Sequence, residues 1–235
     1  MTITKHNFIL PSQNEFLSGT INYCSKRLPP KILFLYGGGE KINRHNVCIL
    51  DDLSSHNISS LCFDYSGQGE STGQFSDSSI QKRVTEAYQM LSLLPYNDIY
   101  IISVSMGAHI ACELLQLDSR IKGLILFCPA AYPNQLRHTK FSHSFSHILS
   151  STHLHSMHSS VFFNLNLFEG KVLFVLAEHD SVIPKIVIDN YLQTIKNGST
   201  VTKVIPGSTH NYLYTRWKEI SDYRNIFDTL TWCFK

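Results

Sequence analysis

The stretch "NDIYIISVSMGAHIA" (Asn97–Ala111) decides how this chain is read. Its first half, "DIYIISV" (98–104), is apolar and rich in β-branched residues, the pattern of a strand covered on both faces. Its second half turns at once into a helix pattern, with Met106, Ile110, Cys112, Leu114 and Leu117 apolar. Between the halves lie Ser103, Ser105 and Gly107. A reactive serine on a sharp strand-to-helix turn needs small residues two before and two after it, because the turn leaves little room on either side. Ser105 meets this condition with Ser103 and Gly107, whereas Ser103 would have Ile101 before it and would sit inside the strand. Ser105 is therefore the candidate nucleophile of a nucleophile elbow, and Ser103 stands where a glycine is more usual.

The same alternation runs outward from this turn. "KILFLY" (31–36), "ISSLCFDY" (58–65), "IKGLILFCP" (121–129), "KVLFVLAE" (171–178) and "STVTKVIP" (199–206) read as further strands. Helix periods lie between them: Ile80, Val84, Ala87, Tyr88, Leu91 and Leu94 share one face, and Ser78 and Gln81 have the spacing of a capping box at its start. Ile220, Tyr223, Phe227, Leu230 and Phe234 repeat the period near the end. Strands alternating with helices predict an α/β fold with a mostly parallel sheet, and the first 25 residues predict an antiparallel hairpin at one edge. Tyr132–Phe168 breaks the alternation. It is too long for a plain connection, lacks Asp and Glu, and holds His138, His143, His147, His153, His155 and His158, half of the histidines. An insertion of this kind between sheet elements predicts a lid over a site. No linker or repeat divides residues 1–235, so a single domain is expected, with 132–168 as a lid insertion within it.

Composition narrows the function classes. The chain is 43% hydrophobic and 16% charged, as globular proteins are, and a formal charge of +2 argues against a nucleic-acid partner. No apolar run approaches a membrane span, and "MTITKHNFILPSQNEF" lacks the pattern of a signal peptide, so a cytoplasmic location is the simple expectation. The six cysteines, Cys24, Cys48, Cys62, Cys112, Cys128 and Cys233, form no C-x-x-C pair and read as small hydrophobes.

In open α/β sheets, ligands gather at the carboxyl ends of the strands. "YGGGE" (36–40) follows the first parallel strand, and its glycines let backbone N–H groups face a developing oxyanion. "DYSGQGESTG" (64–73) follows the next; it does not complete a dinucleotide fingerprint and no helix opens directly after it. "LAEHDSVIP" (176–184) places Asp180 just past a strand, in a loop, whereas Glu178 ends the strand. "PGSTHNY" (206–212) places His210 after the last strand. A serine on an elbow, then an acid, then a histidine, each after a different strand, is far more specific than any of them alone.

With these motifs the chain resembles the α/β hydrolases from about Lys31 to the C-terminus. The resemblance implies an eight-stranded, mostly parallel sheet flanked by helices, with a small lid after the sixth strand. It implies a triad of Ser105, Asp180 and His210, and an oxyanion hole from the backbone N–H groups of Met106 and Gly38. "FDYSGQGESTGQF" is similar to the corresponding loop of small-lid esterases, among them feruloyl or cinnamoyl esterases and protein depalmitoylating thioesterases. Three departures stand out: Tyr36 replaces the usual histidine before the glycines, Gln68 a common histidine or tyrosine, and Ser103 the first elbow glycine. The implied activity is serine carboxylesterase or thioesterase chemistry on a small-molecule substrate, with no cofactor and no metal. Two other readings share the scaffold: a catalytically silent binding module, and a peptidase or amidase using the same triad. The lid histidines have no nearby carboxylate or cysteine and fit no closed zinc motif; they predict a segment whose positive charge grows below about pH 6.5.

Overall fold

A computed structural model of the chain describes residues 4–47, 49–151, 158–196, 198–211 and 223–234. Eight strands form one sheet in the order β1-β2-β4-β3-β5-β6-β7-β8. They are β1 (Thr4–Ser12), β2 (Glu15–Tyr23), β3 (Ile32–Leu35), β4 (Ser60–Phe63), β5 (Ile99–Val104), β6 (Ile121–Phe127), β7 (Lys171–Ala177) and β8 (Ser199–Ile205). The β1–β2 hairpin joins β4 antiparallel, and every pairing from β4 onward is parallel. The chain has the α/β-hydrolase fold.

The burial of the strands explains the layering. Every residue of β3, β4 and β5 is buried, so helices must cover both faces of the central sheet. The helices among the described residues are α1 (Ile49–Ser55), α2 (Ile80–Leu91), α3 (Met106–Leu114), α4 (His143–Ser151), α5 (Ser160–Asn166), α6 (Lys185–Thr194) and α7 (Tyr223–Trp232). In sequence α2, α3, α5 and α6 form a packed row, while His56, just past α1, stacks on Phe227 of α7 with ring centroids 4.4 Å apart. By contrast, β8 at the sheet edge alternates exposed and half-buried residues.

One local expectation needs correction. The cap of α2 is Ser79, whose side chain accepts from Lys82 N–H at 3.2 Å. Ser78 is buried one residue earlier and uses its carbonyl to accept from Phe141 N–H at 2.9 Å, so the Ser78–Gln81 capping box does not form. Gln81 instead accepts from Arg137 Nε at 2.6 Å. Tertiary contacts to the segment between β6 and β7 took both residues away from the local motif.

Among its described residues that segment contains a 3₁₀ turn (Asn134–Leu136), α4 and α5. His138, His143, His147 and His158 are exposed on it, and His153 and His155 lie outside the described residues. The C-terminal period is seen as α7, with Ile226, Phe227 and Leu230 buried, and Ile220 lies outside the described residues. The five described cysteines are buried and unpaired, and Cys48 lies outside the described residues. Among the described residues no helix is long and apolar enough to cross a membrane.

Candidate active site

The elbow forms where β5 meets α3. Ser105 has φ 53° and ψ −117°, a conformation that costs a non-glycine residue on the order of 1–3 kcal/mol. Its neighbours hold it there. Ser105 N–H donates to the Phe127 carbonyl at 2.9 Å, and its carbonyl accepts from Ala130 N–H at 3.1 Å, so the turn is pinned to the end of β6. Gly107 lies against the end of β3: a Cβ on it would come within 2.2 Å of the Leu35 carbonyl oxygen, and backbone cannot yield there. Ser103 is buried in β5, its hydroxyl 3.4 Å from the Ile125 carbonyl that it donates to. It faces the sheet interior, where a small residue fits.

Asp180 and His210 come from the loops after β7 and β8, which are tied to each other. Glu178 accepts from Gly207 N–H at 2.7 Å, and His179 N–H donates to the Ser208 carbonyl at 2.9 Å. Glu178 thus fastens the loops, and Asp180 is the carboxylate that meets the histidine. His210 Nδ1 lies 2.9 Å from Asp180 Oδ2, while Asp180 Oδ1 accepts from Val182 and Ile183 N–H at 2.8 and 2.9 Å. Burial pushes the Asp180 carboxyl up, but the His210 hydrogen bond and these two amides outweigh it and hold it at about 2. Asp180 is therefore an anion at neutral pH and selects the Nδ1–H tautomer, leaving Nε2 as a base. Among the described residues the Ser105 hydroxyl makes no hydrogen bond to His210. Serine–histidine contacts of this kind commonly tighten only when substrate arrives.

The glycine run packs on the other side of the elbow. A Cβ on Gly37 would lie 3.4 Å from Ser105 Cβ, and one on Gly38 would lie 2.7 Å from Met106 Cε. Met106 N–H is the first of α3 and has no acceptor within the helix. The loop is braced by side chains to which the sequence assigned no role. Gln68 donates to the carbonyls of Gly39 and Ile42, the latter at 3.4 Å. Tyr36 donates to Asp64 Oδ1 at 3.1 Å and accepts from Tyr65 N–H at 3.2 Å. Buried Asp64 also accepts from the backbone and guanidinium of buried Arg44. Two of the departures, Tyr36 and Gln68, therefore serve to hold the loop. Asp64 had a signal in its place before the glycine-rich turn; Arg44 had none.

Ser105 opens into a cavity of about 380 Å³ lined by Ala130, Tyr132, Leu149, Val182, Ile183 and Val187. One wall depends on a second buried histidine. His109 Nδ1 accepts from Tyr132 N–H at 3.1 Å, and burial, offset in part by Glu113, pulls its pKa down to about 4. Glu113, one turn further along α3, accepts from Arg137 Nη1 at 2.7 Å and from the Ser160 hydroxyl. These bonds anchor the β6–β7 segment to the helix that starts at the elbow. Cys128, at the end of β6 with φ 42°, completes the surroundings of the Asp180–His210 pair.

A parallel sheet with an elbow serine at the end of β5, and an acid and a histidine after β7 and β8, defines the α/β-hydrolase superfamily. Within it, the chain belongs to the family Hydrolase_4 (Serine aminopeptidase, S33), whose model matches residues 29–159. Three similar solved structures are 15–19% identical. Est1E from Butyrivibrio proteoclasticus with bound ferulic acid is 19% identical with a TM-score of 0.72, over 97% of this chain and 99% of that one. Alpha/beta hydrolase domain-containing protein 10 from mouse is 16% identical with a TM-score of 0.72, over 96% and 97%. A thioesterase domain from the curacin biosynthetic pathway is 15% identical with a TM-score of 0.68, over 97% and 99%. Among curated proteins none matches the chain.

Proposed function

We propose that the chain is a serine hydrolase that cleaves carboxylic esters or thioesters of small molecules through an acyl-enzyme on Ser105. The observation that carries this reading is the Asp180–His210 pair, joined at 2.9 Å, on loops beside a strained serine elbow that opens into an apolar cavity. His210 Nε2 takes the proton of Ser105 as its oxygen attacks the carbonyl carbon, and Asp180 stabilises the imidazolium. Met106 and Gly38 N–H groups receive the oxyanion, each lowering the barrier by about 3 kcal/mol. His210 then protonates the leaving alcohol or thiol, and water activated by the same base releases the acyl group. Among the described residues the cavity walls carry no charge, which supports an apolar moiety beside the carbonyl. The β6–β7 segment, residues 132–168, acts as the lid of a single hydrolase domain.

Purified protein is expected to hydrolyse p-nitrophenyl esters, faster for acyl chains longer than acetyl, and to react with a fluorophosphonate at Ser105. Ser105→Ala lowers kcat by at least about 1,000-fold. Labelling that persists in Ser105→Ala and disappears in Ser103→Ala would show the wrong serine was chosen, and folded protein that neither labels nor turns over would make the chain a binding module. The family's description favours a second reading, amide or peptide cleavage with the same triad. An aminopeptidase needs a carboxylate to hold the substrate's ammonium group, and among the described residues the cavity wall contains neither Asp nor Glu. Aminoacyl p-nitroanilides cleaved faster than esters would reverse this preference.

A further inference from the structure

Cys128 takes no part in the proposed acyl transfer, yet it sits beside the two residues that drive it. We propose that Cys128, Asp180 and His210 bind a single zinc ion and that its binding switches the hydrolase off; the second half rests on the function proposed above, the first does not. One ligand atom from each residue, a sulfur, a carboxylate oxygen and a ring nitrogen, lies within 4.8 Å of the other two. Tetrahedral zinc with bonds of about 2.0–2.3 Å separates its ligands by roughly 3.3–3.8 Å, so only a small adjustment is needed, with the 2.9 Å His210–Asp180 contact opening slightly. The donors follow three adjacent strands, β6, β7 and β8, which fixes their spacing without a local motif. Cys128 N–H donates to the Val175 carbonyl at 3.0 Å, and the residue is held at φ 42°. A strained non-glycine residue at a site invites a functional reason.

The chemistry of the set also fits. Thiolate, carboxylate and neutral imidazole are zinc ligands, and their summed charge of −2 balances the cation. Cys128 and His210 are almost fully buried, so a thiolate there needs a cation beside it. Proton balance then explains the switch. The Cys128 thiol proton leaves to water as the zinc–sulfur bond forms. The lone pair of His210 Nδ1 is taken by the metal, and the ring proton moves through solvent from Nδ1 to Nε2. Nε2 then carries a proton and can no longer accept one from Ser105. Nothing is oxidised or reduced.

Cobalt(II), which is spectroscopically visible in zinc sites, tests binding without any reference to turnover. The full chain should bind one cobalt ion with a thiolate-to-metal charge-transfer absorption, lose it on adding zinc, and lack it as Cys128→Ala. Histidines 138–158 binding metal by themselves would give no such band. Zinc should inhibit ester hydrolysis reversibly, with EDTA restoring it, and Cys128→Ser should raise the zinc concentration for half-inhibition by at least about 100-fold, measured against that variant's own activity. No thiolate band, or a band that survives in Cys128→Ala, overturns the site. A Cys128-dependent band with no loss of activity overturns the switch alone. If no ester is turned over, the cobalt spectrum still decides the site while the function falls separately.

Discussion

Arg83 is the side chain whose environment least resembles its chemistry. It lies in α2 with no exposed surface, and its guanidinium sits over the rings of Tyr65, Phe141 and Phe75 at 4.7, 4.8 and 5.4 Å. Its Nε and Nη2 have no partner among the described residues, and Nη1 touches Met106 Sδ at 3.7 Å. Burial pulls its pKa down. Cation–π contacts repay only part of the desolvation of a buried cation. Arg83→Met is therefore expected to raise stability by about 1–2 kcal/mol, seen as a higher urea midpoint. A drop in the midpoint would mean that the rings and Met106 compensate the charge fully. Periodicity could not reveal this residue, because it places Arg83 beside the apolar face of α2 without saying what covers it.

The helix α3 does two jobs, and the second was hidden in the sequence. Its first turn presents the elbow, and its last turn carries Glu113, to which Arg137 and Ser160 of the β6–β7 segment attach. Glu113 is 5% exposed, so removing its charge takes a buried partner from the Ser160 hydroxyl and from Arg137, whose side chain is 32% exposed and keeps Gln81. Breaking a half-buried ion pair from one side costs about 1–2 kcal/mol, less than a fully buried one. Glu113→Ala should raise amide hydrogen exchange across 134–149 and 160–166 while β3, β5 and β6 keep their protection. Equal loosening of the central strands would show that the segment is not a separate unit. The two halves of this contact are 24 and 47 residues apart in sequence, beyond the reach of any local pattern.

Across the molecule, buried His109 and half-buried Asp180 shape the response to acid. His109 has a folded pKa of about 4 against an ordinary 6.5, so between these values the unfolded chain binds a proton that the folded chain refuses. Stability is complete above about pH 6.5 and declines toward pH 4, by about 3 kcal/mol in total. Asp180, at about 2 against an ordinary 3.8, adds a second decline from about pH 4 to pH 2. Urea titrations should show both, with His109→Gln flattening the upper window and Asp180→Asn the lower. A wild-type curve level from pH 6.5 to 4 would mean that His109 is charged in the folded state.

The fold was legible because its signals are local and repeated. Apolar runs of strand length, helix periods between them and small residues around Ser105 each reflect a constraint felt within a few residues, and together they state the α/β order and the elbow. The order serine, acid, histidine, after β5, β7 and β8, was legible for the same reason, since parallel strands bring all their following loops to one edge. What packing alone decided lies between those loops. The 2.9 Å contact of His210 with Asp180, the bracing of the glycine run by Gln68, Tyr36, Asp64 and Arg44, and the arrival of Cys128 beside the pair depend on strand register. Register is set by the whole sheet, so no segment of the sequence carries it alone.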